Sequence, residues 1–254
     1  MLKLMKYEFR KNRTGLLVML AIAAGLFALA PLGRALHKDD LLAISVITLF
    51  FYAFAAYVYV LVRGISAYSG ELRGRTGYLL MLVPRSAMSI LFGKLLFTLL
   101  FAVVMLAATS LALMAAVGVL FEEIYELNGL LTVARFMLAD IGVDPALLAN
   151  TALFLAAGIL TSVLVFVAMG YLAVTLSATV LQGGKLRGLV SFLFFAALTA
   201  LTVFLQNRVM PEVELYATYA EALNAALPVI FLDLGLTCAY TALSAVLLKK
   251  RVSL

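Results

Sequence analysis

The chain has 254 residues, 65% of them hydrophobic and only 13% charged, with a net charge of +6. A soluble domain carries about a quarter charged residues, so this composition excludes a surface that faces water throughout. The mean hydropathy is +1.13, and apolar stretches of about 20 residues recur along the sequence, each long enough to cross roughly 30 Å of hydrocarbon as a helix. The alternation of a membrane barrel is absent. In lipid the backbone must satisfy its own hydrogen bonds, which leaves helices.

The expected fold is therefore an all-α integral membrane protein of six transmembrane helices, one domain over residues 1–254. It begins with MLKLMKYEFRKNR, where Lys3, Lys6, Arg10 and Arg13 share one helical face and Leu2, Met5 and Phe9 another. This pattern predicts an N-terminal amphipathic helix lying in the membrane interface, with Glu8 its one acid. A plain basic flank is the alternative. Residues 1–30 also have the outline of a signal peptide ending at Ala28-Leu29-Ala30. The long apolar run and Pro31 just beyond it argue against cleavage.

The spans are predicted at about 14–33, 41–62, 92–119, 151–180, 188–206 and 229–248. Fifteen of the nineteen basic residues then fall on one side, in the flanks that hold Lys3 to Arg13, Arg63 to Lys94, Lys185 with Arg187, and Lys249 to Arg251. The other side holds Arg34, Lys38, Arg135 and Arg208 with ten acids. Basic residues mark the cytoplasmic side, so both termini are expected inside. This placement also argues against a nucleic-acid partner; the expected surroundings are membrane lipid.

The connection 63–91 mixes Gly64, Gly70, Gly74 and Gly77 with charge, and then carries a short apolar run, Tyr78 to Val83, stopped by Pro84. A short helix along the membrane surface fits it, offering charge to a cytoplasmic partner. In the outer connection 121–150, Leu130, Val133, Phe136, Met137 and Ile141 suggest an amphipathic helix ended by Gly142 and Pro145. A cap over a translocation route and an ordinary structured loop fit it equally. Pro211 and Pro228 bracket a third, acidic connection.

Chemistry-bearing motifs are missing. There is no GxxxxGK[ST] phosphate loop, no HExxH and no GxSxG, and the single histidine is His37. No catalytic residue, metal site or cofactor is expected in this chain, and it is not read as an enzyme. The lone Cys238 is read as packing. Asp233 lies within the sixth span, where an ionisable group is costly and often functional. It is read as a polar contact in a translocation path or a partner for Arg208, or else as a hydrated group near the outer interface. Tyr52, Tyr57 and Tyr59 either line such a path or pack. Small residues share faces at Ala108, Ala112 and Ala116, and at Gly158 and Ser162, a spacing that permits close helix approach.

Three stretches together carry a resemblance. They are Leu4 to Lys11 before the first span, Tyr68 to Tyr78, and Pro84-Arg85-Ser86 ahead of Gly93-Lys94. Glu71, Thr76-Gly77-Tyr78-Leu79, Pro84-Arg85-Ser86 and Lys94 follow an E-x-x-x-x-T-G-Y-L…P-R-S…K pattern. In this the chain resembles, over essentially its whole length, the membrane subunits of ABC-2 type transporters, in particular small bacterial permeases of antibiotic and lantibiotic export and immunity systems. Its short outer loops differ from family members with large extracellular domains.

The resemblance implies a cytoplasmic coupling helix between spans two and three that docks on a separate ATPase subunit. Glu71, Arg73, Thr76, Gly77 and Arg85 are then the docking candidates, and the loop Gln182 to Arg187 a secondary contact. It implies a second permease subunit, identical or different, with ATP and Mg bound by the partner ATPase. The location would be the bacterial plasma membrane. The function expected is export of a hydrophobic or amphipathic substrate: a peptide, antibiotic or lipid. A non-transporting membrane sensor or assembly protein is the alternative.

Overall fold

The computed structural model describes residues 2–73, 86–124, 145–180, 186–210 and 219–251, together with the turn at 36–38. Six helices hold these residues, and no strand occurs among them. They are α1 (Leu2–Ala35), α2 (Asp39–Arg73), α3 (Ala87–Ile124), α4 (Pro145–Val180), α5 (Arg187–Val209) and α6 (Tyr219–Arg251). Each contains a stretch long and apolar enough to cross a membrane, so the chain is a multi-pass membrane protein. All six predicted spans fall inside these helices.

The helices outrun the predicted spans. With 34 to 38 residues, α1 to α4 each reach about 50 Å or more, beyond the roughly 30 Å of hydrocarbon. The basic start is not a separate interfacial helix. It runs unbroken into the first span as α1, because nothing between residues 2 and 35 stops it. Gly15 and Pro31 are both accommodated inside, as proline often is in membrane helices.

Likewise α2 continues through Arg63 and Glu71 to Arg73, and α3 starts at Ala87. Most of both ends of the expected 63–91 connection is therefore helix. Of the connection expected to hold the coupling helix, residues 74–85, with the apolar run Tyr78 to Val83, lie outside the described residues, as does the outer helix sought at Leu130–Ile141. Pro145 is the first residue of α4, where its missing N–H is no loss. Pro228 lies inside α6 and does not bound it.

Helix ends have local causes. Ser86 caps α3, its Oγ accepting from the Ser89 N–H at 3.3 Å. Between α1 and α2, Lys38 N–H donates to Gly33 O at 3.0 Å and His37 N–H to Arg34 O at 3.1 Å. This is a Schellman closure. It places His37 in the left-handed region at φ 47°, a place usually filled by glycine.

The helices contribute to two compact units. One comprises Met1–Phe9, Val60–Leu100 and Ala157–Leu254, the other Arg10–Tyr59 and Phe101–Ala156. The second unit has an apolar heart, where Ala30, Leu42, Leu49 and Ala116 are buried against Leu26, Phe27, Val46 and Leu113. The first is built differently.

Candidate functional site: a buried charge junction

Lys94 lies two turns into α3 in the first unit, with its side chain 4% exposed. Its ammonium donates to Glu8 Oε1 at 2.6 Å and to Glu71 Oε1 at 2.8 Å. Glu8 is itself 3% exposed and Glu71 14%. Taking ions out of water costs several kcal/mol each, about 3–5 kcal/mol or more being at stake when one partner is lost, so such charges persist only when closely paired. The pairing joins the start of α1, the last turn of α2 and the beginning of α3 at one point.

The sequence holds a physical reason for these partners. Of its thirteen acids, Glu8 and Glu71 are the two that stand in the flanks where basic residues predominate. Both turn inward to Lys94.

A layer of hydroxyls and rings supports the junction. One turn beyond Lys94, Thr98 donates to its carbonyl at 2.9 Å. Gly64 on α2 lies against this turn: a Cβ there would come within 2.9 Å of Thr98 Cγ2 and 3.1 Å of Val167 Cγ2. Glycine thus lets α2, α3 and α4 approach closely. The buried rings of Tyr68 and Tyr171 stack at 4.6 Å with a 45° tilt. Thr175 donates its one proton to Tyr171 O at 2.7 Å. The Tyr68 hydroxyl, 2.7 Å from Thr175 Oγ1, is therefore the donor of that contact. The Tyr171 hydroxyl is fully buried with Thr98 as its polar neighbour.

A second set of polar contacts joins α5 to α6 in the same unit. Thr202 donates to Leu198 O at 2.9 Å and lies 2.9 Å from the Tyr240 hydroxyl. Gln206, one turn further, donates to Asp233 Oδ1 at 2.8 Å. Asp233 is 4% exposed, so it is enclosed rather than hydrated. The side chain that reaches it is Gln206, and Arg208 instead lies over the Phe204 ring at 5.4 Å.

Of the residues singled out in the sequence, Glu71 enters the junction and Arg73 is the final residue of α2. Thr76, Gly77 and Arg85 lie outside the described residues. Tyr52 and Tyr57 belong to the second unit. There the Tyr52 hydroxyl donates to Met19 O, tying α2 to α1, and Tyr57 is half-buried. Lys94, Glu8, Tyr68, Tyr171 and Gln206 were not singled out as site residues. A lone acid in each of two basic flanks was the available signal, and it named no partner.

Comparison with protein-family models, with curated proteins and with solved structures finds no match to this chain.

Proposed function

We propose that the chain is the permease subunit of an ATP-binding cassette exporter of the ABC-2 type, driven by ATP hydrolysed with Mg in a separate ATPase subunit. One observation carries this reading. The segment 74–86, where a cytoplasmic motor would dock, leaves α2 three residues after Glu71 and enters α3 eight residues before Lys94. The Glu71–Lys94 pair clamps its two ends, and Glu8 ties the same point to α1. A segment that receives a push and passes it to several helices needs such a clamp.

The distribution of basic residues supports the orientation. It favours a cytoplasmic side for both termini and the 74–86 segment, facing the motor, and the membrane proposed is that of a bacterial cell. The exposed apolar faces of the helices suit an amphipathic or hydrophobic cargo and a second permease subunit. In this account Glu71 acts first as a positioning residue for the coupling segment. Arg73, Thr76, Gly77 and Arg85 remain the residues to meet the ATPase, through charge that suits polar docking.

Purification in a mild detergent tests the proposal. The chain should bring down an ATP-binding subunit, and the chain alone should hydrolyse no ATP. Hydrolysis by the isolated chain, or recovery from its own host free of any ATPase subunit, contradicts it. The latter result would favour a sensor or assembly protein.

A further inference from the structure

From Arg10 onward α1 belongs to the second unit, and its two faces differ. One carries Asn12, Leu16, Ala23 and Ala30, all buried. The other carries Arg10, Arg13, Leu17 and Ala21, all exposed. These four recur at intervals of three and four residues, so they form one stripe. The stripe changes character abruptly. Arg10 and Arg13 stand about 4.5 Å apart along the axis, and Leu17 follows Arg13 after about 6 Å. Leu17 and its neighbour Val18 are 55% and 52% exposed. The apolar stretch that contains them all is Lys6–Ala35, whose 30 residues cover about 45 Å, more than the roughly 30 Å of hydrocarbon. The arginines stand at an end that leaves the hydrocarbon, one turn from a leucine that stays in it. That is the depth of lipid phosphates.

Charge and symmetry select the occupant. Glu8 is the one acid of α1, and it is buried against Lys94. Neither Arg10 nor Arg13 enters an ion pair with a described residue. Two guanidiniums within one turn suit a phosphate, which each can bind through paired N–H donors. A soluble partner would account for the arginines but not for a face that passes into hydrocarbon one turn later. A second copy meeting this stripe across a twofold axis would set Arg10 and Arg13 against their own counterparts, like charge on like charge. A phospholipid carries both parts in the order required, an anionic head and, directly beside it, an acyl chain.

We propose that the exposed face of α1 seats an anionic phospholipid of the surrounding bilayer, with its phosphate against Arg10 and Arg13 and an acyl chain along Leu17 and Ala21. The site requires only that α1 crosses a membrane, so it stands or falls separately from any ATPase partner.

The test uses the full chain in bilayers that mix phosphatidylglycerol and phosphatidylcholine, one of the two brominated on its acyl chains. The sequence has no tryptophan, so a single introduced tryptophan reports its own lipid neighbours by bromine quenching. Leu17→Trp should show a preference for phosphatidylglycerol of about fivefold for each arginine. Arg10→Gln or Arg13→Gln in that background should lower the preference, and the two together should bring it to parity. Glutamine keeps the helix, and melting checks that each variant is folded. Val18→Trp, one residue on, is a second probe should the first variant misfold. Phe54→Trp on α2, 69% exposed and with no cation within four residues in sequence, should show parity throughout. Equal quenching by both lipids at Leu17→Trp and Val18→Trp overturns the proposal, as does a preference that survives the double arginine variant. So does a folded Leu17→Trp chain quenched by neither lipid, which would mean that a protein surface covers this face.

Discussion

The two units hold their helices together by different means. In one, a lysine and two glutamates are buried with a tyrosine pair and a run of hydroxyls. In the other, alanines and leucines interlock, with Tyr52 and Ser45 each adding a hydrogen bond to an α1 carbonyl. The difference is instructive because lipid is as apolar as leucine. Association of membrane helices gains little from hiding apolar surface and relies on close packing and interhelical polar contacts. The second unit uses mainly the close fit of small residues. The first adds partners that have no alternative in an apolar surrounding, which fixes which helices meet and in what register.

That contrast makes an ordered set of predictions, all readable as melting in mild detergent. The largest effect belongs to Lys94→Met. It leaves Glu8 and Glu71 buried without their ammonium and should destabilise by about 3–5 kcal/mol. If Lys94→Met melts like the wild type, the charge junction contributes nothing and the contrast fails. Next come overpacking substitutions, Gly64→Val in the first unit and Ala116→Leu in the second. Each should lose about 1–3 kcal/mol, since Gly64 faces Thr98 and Val167 and Ala116 is fully buried. Equal losses there would show that the units differ in their polar contacts and not in tightness.

Smaller still is Tyr68→Phe. It removes the donor to Thr175 while keeping the ring stack on Tyr171, for about 0.5–1.5 kcal/mol. The smallest effect has the opposite sign. His37→Gly relieves the left-handed residue of the α1–α2 turn and should stabilise by up to about 1 kcal/mol. A loss of stability in that variant would mean that the imidazole makes a contact worth more than the backbone relief.

The spans were legible because each is an unbroken apolar stretch, and hydropathy locates such stretches without knowing any contact. Helix beyond the spans was not legible. Arg63 and Glu71 interrupt hydropathy and so looked like a loop, although neither residue opposes helix formation. The basic start looked separate from the first span for the same reason. Partnership was the least legible feature. Glu8 lies 86 residues from Lys94, and Tyr68 lies 107 from Thr175. No local pattern links residues so far apart. The two isolated acids in basic flanks were visible, but their common lysine required the fold. Asp233 was visible as a cost within a span, and only the antiparallel run of α5 beside α6 reveals Gln206 as its donor.

The most direct test of the junction is a thermodynamic cycle over Glu8→Gln, Glu71→Gln, Lys94→Met and the triple variant, with each melting curve taken in the same detergent. The structure predicts that Lys94→Met is the most damaging single change. It also predicts that the triple variant, which leaves none of the three junction charges buried, recovers most of that loss. Losses that simply add, with the triple variant the least stable of all, would show that the three side chains act independently and that no shared junction holds α1, α2 and α3.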